Sequence, residues 1–328
     1  MAGQIAEQQD RDLTLDTYRY LRGGMVVMVV MLAAGVIGAA ISSHCWQGSI
    51  SAYYYTSAHS VFIASLCALG VQMIVYRGSS DTEDALLNLA GMLAFIVAFV
   101  PTGMPERQCG EAGPWAKWEA AITNNVWAII IALVFARLAS WLLYRSTDTG
   151  RRRSLGGDVT VWTLRFVVTL GIIGFVFFRD LFDAQAHNAA AITMFLAIIA
   201  TVCITAFLVH QQPATSRAPH PNRYLRLYQI IAGLMFITLV LVIGVRLLVR
   251  GWSDWVLVLE ALLIVEFAAY WTLQTIELWK TPNRVELIPE RLRSQLAHKR
   301  ELPGPAGLVK EVRQLRQLPS DERLCRAL

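Results

Sequence analysis

Charged side chains are scarce in this chain of 328 residues, since only 16% are Asp, Glu, Lys or Arg and 55% are hydrophobic. Soluble domains usually carry about one quarter charged residues. The few charges lie in clusters between long apolar runs, which occupy most of the chain. The composition therefore excludes an ordinary soluble protein and indicates a membrane domain followed by a polar tail.

The common catalytic motifs are also missing from the sequence. It contains no phosphate-binding Walker loop, no Gly-x-Ser-x-Gly elbow, no His-Glu-x-x-His zinc motif and no dinucleotide-binding fingerprint. These absences exclude the usual soluble catalytic domains, but they leave an intramembrane enzyme open. No cofactor is expected, and the sequence does not decide whether the protein is an enzyme.

No nucleic-acid-binding motif accompanies the basic character of the chain, which has a net charge of +5 and a pI of about 9.0. The basic residues lie at the ends of the apolar runs and in the C-terminal tail, where they suit lipid headgroups. We therefore expect membrane lipid, and no nucleic acid, as a partner. Association with a second copy of the chain is left open.

Eight apolar runs approach or exceed the roughly 20 residues that a membrane-spanning helix needs. They are Gly24–Ser43, Ser57–Tyr76, Asp84–Gly103, Trp118–Tyr144, Thr160–Phe178, Asn188–His210, Leu225–Val249 and Trp255–Trp279. The first is longer than the core of about 7–15 residues found in cleaved signal peptides, so it is interpreted as an anchor. The sequence therefore predicts an all-α bundle of eight transmembrane helices over residues 23–280, with tails at 1–22 and 281–328.

Lys and Arg are distributed unequally between alternate connections. Twenty-two of the 29 basic residues lie in the two tails and in every second loop, whereas the other loops hold four. Since basic residues concentrate on the cytoplasmic side, both tails are expected in the cytoplasm.

The tail from 281 to 328 is interrupted by prolines, and its segments 289–300 and 308–318 suit amphipathic helices on an anionic leaflet. The alternative is a partly disordered tail.

Only five cysteines occur, and two of them form an informative pair. Cys45 and Cys109 fall just beyond the outer ends of the first and third predicted spans, in the compartment where disulfides persist. We therefore predict a Cys45–Cys109 disulfide. The sequence has no Cys-x-x-Cys or Cys/His spacing typical of zinc, so no metal site is predicted.

Polar residues near the outer ends of the spans define a candidate ligand pocket. Its predicted members are Ser49, Ser51, Tyr53, Tyr54, Tyr55, Arg246 and Glu260. Glu260 lies roughly 9 Å into its helix at about 1.5 Å per residue, and Arg246 at a similar depth on the preceding helix is its expected partner. The simpler alternative is that most of these are ordinary helix-end residues.

Two histidines and two aspartates in the same layer suit a different function. His59, His187, Asp180 and Asp183 would be the acid–base groups of an intramembrane lipid hydrolase. An enzyme requires these groups to converge, whereas a binding protein requires a cavity. A structural or transport subunit requires neither.

The last predicted span carries a polar stripe. Glu266, Tyr270, Gln274 and Glu277 are spaced by 4, 4 and 3 residues, which places them on one helix face from the midplane to the inner surface. A network of hydrogen bonds between helices is the favoured interpretation. A proton or ion path is the alternative.

Four segments resemble a group of uncharacterised bacterial multi-pass membrane proteins. They are SISAYYYTSAHSVFIASLCALGVQMIVYRG (Ser49–Gly78), EDALLNLAG (Glu83–Gly91), VAFVPTG (Val97–Gly103) and FAAYWTLQTIELW (Phe267–Trp279). The resemblance implies a helical bundle in a bacterial cytoplasmic membrane, and it implies no reaction.

A weaker similarity is to membrane hydrolases of the alkaline ceramidase type, which would imply a zinc ion held by three histidines. The sequence lacks their His-x-x-x-His pair, and its last two predicted spans contain no histidine. We therefore favour a membrane protein that binds a lipid or small ligand in an outward-facing pocket. A lipid hydrolase and a structural or transport subunit are the alternatives.

Overall fold

A computed structural model describes residues 2–103, 109, 118–147, 153–214, 220–249, 253–299 and 304–328. For residues 2–7, 118–120, 246 and 304–306 the description is limited to the backbone. All regular secondary structure within these ranges is helical, so the all-α prediction is confirmed.

In the described part of the chain, eight long helices follow one another, and each overlaps one of the eight predicted apolar runs. They are α1 (Ala2–Ser43), α2 (His59–Val75), α3 (Asp81–Phe99), α4 (Trp118–Ser146), α5 (Leu155–Phe177), α6 (Arg179–His210), α7 (Pro221–Leu248) and α8 (Trp255–Glu277). Seven of them are long and apolar enough to cross a membrane, judged by length and composition. The exception is α2, which is apolar but has 17 residues.

The first helix is longer than its apolar run. α1 continues without a break through the predicted N-terminal tail, because this stretch contains three Gln, three Leu and three Arg residues and no proline. These residue types favour a helix even where no apolar surface is buried. The boundary predicted at residue 22 is therefore a change in polarity within one helix.

The helices pack side by side, with α3 in the middle and α4 at the periphery. When the most apolar stretch of 18 residues is taken from each helix, 61% of the stretch in α3 is buried but only 6% of the stretch in α4. α3 contacts α2, α5 and α6, whereas α8 packs between α1 and α7. The exposed apolar side chains of α4, including Ile131, Phe135 and Leu138, are typical of a lipid-facing surface.

Close contacts show that α2 runs antiparallel to α1. A Cβ atom added at Gly24 would lie 2.7 Å from Gln72 Nε2, and one added at Gly35 would lie 2.7 Å from Val61 Cγ1. The two contacts lie near the two ends of α2. We call the end of the bundle at Gly24 and Gln72 the inner end, and the opposite one the outer end.

A disulfide fastens the outer end. Cys45, just after α1, is bonded to Cys109, which follows α3 in the chain, and the two Cα atoms are 5.4 Å apart. This is the pair that the sequence analysis selects. A 3₁₀ helix, Ser51–Tyr55, lies in the loop between α1 and α2 at the same end.

The C-terminal tail folds back onto the inner end, and its helices overlap both segments that the sequence analysis predicts as helical. It contains a 3₁₀ helix (Arg284–Leu287) and the helices α9 (Glu290–Leu296), α10 (Gly304–Gln317) and α11 (Ser320–Ala327). Leu292, Leu296 and Cys325 pack with Leu208 of α6 in a small apolar cluster. The backbone oxygen of Leu328 accepts hydrogen bonds from Thr82 and Ser154, at the starts of α3 and α5.

Candidate functional site

A cavity of about 50 Å³ lies between α1, α2, α3, α6 and α8. Fifteen of its 17 lining residues are apolar, and the two polar ones are Ser51 and Glu260 at the outer end. Apolar cavities of roughly 150 Å³ stay dry and bind small apolar molecules. Because this cavity is smaller than that, a ligand of the same size would have to displace side chains of the wall. The flexible side chains of Met73 and Met194 in the wall suit such movement.

Glu260 holds the first loop over the outer end of this cavity. Its Oε2 accepts a hydrogen bond from Ile50 N at 2.6 Å and a longer one from Ser51 N at 3.4 Å. Its Oε1 accepts from Ser51 Oγ at 2.9 Å. The carboxylate thus satisfies the first backbone donors of the 3₁₀ helix, as an acidic cap does at a helix N-terminus. A further bond, from Leu257 N to Gly48 O at 2.9 Å, closes the same contact.

The three tyrosines of the first loop stabilise the loop itself. Tyr53 and Tyr54 are buried, and Tyr54 stacks edge to face on His59 at 4.4 Å between ring centres. Tyr55 donates to Thr102 O at 2.5 Å, and burial raises the pKa of Tyr55 to about 12, which keeps this donor protonated at neutral pH. Among the described residues, none of the three belongs to the cavity wall.

The remaining predicted pocket residues are only partly placed. Ser49 Oγ accepts a hydrogen bond from Ala52 N at 3.0 Å and so belongs to the same turn of the loop. The side chain of Arg246 lies outside the described residues. The predicted Glu260–Arg246 pair therefore stays a prediction.

The residues considered for a hydrolase have separate partners. His187 Nδ1 lies 2.7 Å from Val100 O, whereas His59 Nδ1 lies 2.6 Å from Tyr54 O. Asp183 accepts from Arg179 Nε at 2.8 Å, one turn earlier on α6, and Asp180 lies in the first turn of that helix. No cluster of three potential metal ligands occurs in the part of the chain that the structure describes. These contacts favour structural roles over acid–base catalysis.

A second polar site lies at the inner end, below the cavity. Glu277 at the end of α8 forms an ion pair of 2.5 Å with Arg284, and both side chains are fully buried. Tyr228 donates to the same carboxylate at 2.7 Å, and Gln212 Nε2 lies 3.4 Å from its other oxygen. Burial disfavours the charged form of Arg284, but the Glu277 carboxylate outweighs it and raises the pKa of Arg284, which stays cationic.

Glu83 forms the other half of this inner site. Its Oε1 accepts from Thr205 Oγ1 at 2.7 Å, and its Oε2 accepts from Ser79 N at 2.6 Å. Thr205 in turn lies 3.0 Å from the hydroxyl of Tyr270 on α8. All four residues are buried, so α3, α6 and α8 are joined by polar contacts without solvent.

The predicted polar stripe of α8 divides between two neighbours. Tyr270, Gln274 and Glu277 are buried at the inner site, whereas Glu266 accepts a hydrogen bond from Thr238 of α7 at 2.7 Å. The hydrogen bonds of Glu266, Tyr270 and Glu277 reach α6 and α7, as the network interpretation expects.

Three charged residues of the inner site are missed by sequence reasoning. The sequence analysis treats Arg22 and Arg284 as charges that face lipid headgroups, yet both side chains are completely buried. Arg22 donates to the backbone oxygens of Leu278 and Pro282 beyond α8, at 2.9 and 2.7 Å. Glu83 had one local signal, because Ser80 three residues earlier caps α3 in a Ser-x-x-Glu pattern. Nothing local marks the two arginines.

Comparisons with protein-family models, with curated proteins and with solved structures find no match for this chain. The two resemblances noted in the sequence therefore stay predictions, and the features that bear on function are the cavity, Glu260 at its outer end and the buried polar site below it.

Proposed function

We propose that the chain is an integral protein of a bacterial cytoplasmic membrane, with eight helices across the bilayer and both termini in the cytoplasm. Seven helices have suitable length and composition. α2 with its 17 residues is about 25 Å long at 1.5 Å per residue, close to the hydrocarbon thickness of about 30 Å. Its contacts with α1 near both ends support a full crossing, and the unequal distribution of Lys and Arg supports the orientation.

Reporter fusions test this topology at its weakest point, which is α2. A reporter active only in the cytoplasm should be active after Arg77 and after Arg153, and inactive after Trp46. If α2 did not cross, the fusions after Trp46 and Arg77 would report the same side. An active reporter after Trp46, together with inactive reporters after Arg77 and Arg153, would reverse the orientation.

We further propose that the protein binds a small apolar molecule with one polar group, such as a short-chain alcohol or amine, in the central cavity. The observation that carries this proposal is the combination of an apolar wall from five elements with a single carboxylate at one end. Glu260 accepts three hydrogen bonds, and a carboxylate offers about four lone-pair sites. One site is left for a hydroxyl or amine of the ligand, whose chain would occupy the apolar part.

Native mass spectrometry of the detergent-purified protein tests the ligand proposal. We expect a co-purifying small ligand on the natural protein and its loss from Ala191→Leu, because Ala191 lines the cavity and three added carbons fill its space. Ala132→Leu on the exposed face of α4 adds the same atoms and should leave the ligand in place. A natural protein without a bound small ligand, or equal occupancy in both variants, would contradict the proposal.

A further inference from the structure

The two buried carboxylates of the inner site differ in the kind of partner they have. Glu277 faces Arg284, which can only donate hydrogen bonds and carries a fixed positive charge. Glu83 has neutral partners, namely the hydroxyl of Thr205 and the backbone N–H of Ser79. Glu277 is therefore bonded to a cation, whereas the groups bonded to Glu83 are neutral.

The partners of Glu83 can serve both of its protonation states. When Glu83 is ionised, Thr205 donates to Oε1 and Tyr270 donates to Thr205, at 2.7 and 3.0 Å. When Glu83 carries a proton on Oε1, it donates to Thr205, which then donates to Tyr270. Hydroxyl groups act as donor and acceptor alike, so Thr205 keeps both of its hydrogen bonds when the direction of this row of hydroxyl groups is reversed.

The row of hydroxyl groups also begins close to the cavity. Phe267 lines the cavity, and Tyr270 lies three residues further along α8 on the same face, roughly 4.5 Å nearer the inner end. Ala94 also lines it, and Glu83 lies eleven residues away on α3, which is close to three full turns and so the same face. The cavity-lining faces of α3 and α8 therefore continue inward to Glu83 and Tyr270.

We propose that Glu83 is a proton-binding site whose two protonation states are served by the hydroxyl groups of Thr205 and Tyr270. As Glu83 gains a proton on Oε1, it becomes the donor to Thr205, and the Thr205 hydroxyl turns to donate to Tyr270. Each hydroxyl ends neutral, and the single net change is the conversion of a carboxylate to a carboxylic acid. The site is independent of the identity of any molecule in the cavity.

The surrounding charges are compatible with this role. On α3, Asp84 adjoins Glu83, but its carboxylate is bonded to Arg77 at 2.7 Å. From the segment after α8, Arg284 acts on Glu83 at longer range and is paired with Glu277. Tyr76, after α2, and Tyr270 are the titratable groups that face it from the remaining elements, and both are buried phenols.

Infrared spectroscopy of the protein in lipid nanodiscs tests the inference through the carbonyl band of protonated carboxyl groups. Between about pH 5 and pH 9, where ordinary carboxyl groups stay ionised, we expect a band in the natural protein that Glu83→Gln lacks. Asp84→Asn removes the adjacent carboxyl and should retain the band. Glu260 and Glu266 are unchanged in both variants, so their contributions cancel in the difference spectra.

Two further variants keep the inference testable if Glu83→Gln fails to fold. Thr205→Val removes the hydroxyl that accepts from the protonated acid, so the band should move to higher frequency. Glu277→Gln deprives Arg284 of its anion, which should draw Glu83 into the ionised form and weaken the band. Identical spectra for the natural protein and Glu83→Gln, or an unshifted band in Thr205→Val, would overturn the proposal.

Discussion

Arg284→Met is expected to destabilise the protein by about 3–5 kcal/mol, because it leaves the Glu277 carboxylate buried without a compensating charge. Tyr228 and Gln212 still donate to that carboxylate, but neutral donors do not replace a cation in a site without solvent. The free energy of unfolding, measured by titrating the detergent-held protein with dodecyl sulfate, reports the loss.

Arg291→Met is the matched control for this prediction. Arg291 also lies in the tail and pairs with Asp321 at 2.7 Å, but its side chain is 63% exposed. Surface pairs of this kind contribute about 0–1 kcal/mol, so the control should be nearly neutral. The double variant Arg284→Met with Glu277→Gln removes both charges and should recover most of the stability. Equal effects of Arg284→Met and Arg291→Met would show that the buried pair is not important for folding.

Glu260→Met is expected to release the first loop from the outer end of the cavity, at a cost of about 2–4 kcal/mol. The substitution keeps the size of the side chain but leaves the Ile50 and Ser51 backbone donors without an acceptor. Each unsatisfied buried donor costs about 1–3 kcal/mol. Hydrogen exchange of the peptide that covers Ser51–Tyr55 should therefore become faster, while α3 remains protected.

Glu260→Gln separates hydrogen bonding from charge. Its amide oxygen can still accept from the backbone of Ile50, and its amide nitrogen can donate to Ser51 Oγ, which is able to accept. The loop should therefore stay in place in this variant. Exchange as slow in Glu260→Met as in the natural protein would mean that the loop is held by its tyrosines instead.

The two ends of the cavity are closed by different means, and this difference bears on how a ligand would enter. The outer end is covered by a loop that Glu260, the Leu257–Gly48 hydrogen bond and the Tyr55–Thr102 hydrogen bond hold in place, whereas the inner end of the bundle below the cavity is filled by Arg22, Arg284 and their partners. Opening the outer end breaks few hydrogen bonds and exposes no buried ion pair. We therefore expect ligands to enter from the outer end or from between the helices, and the inner site to stay closed.

The sequence by itself determined the elements and one crosslink. The eight apolar runs coincide with α1 to α8, because the length and hydropathy of a run are local properties that a membrane requires directly. The alternating directions of the predicted spans also placed Cys45 and Cys109 at one end, where the structure joins them. It also grouped Ser51 with Glu260, since both lie at the same depth.

Only the tertiary structure decided which polar residues meet inside. A lysine or arginine at a helix end has the same local pattern whether it faces headgroups or a buried carboxylate, so Arg22 and Arg284 gave no local sign of burial. The partners of Glu260 lie 210 and 209 residues away in the chain, and Thr205 lies 122 residues from Glu83. Such pairs depend on how helices pack, because hydrogen bonds form between neighbours in space and local sequence does not record them.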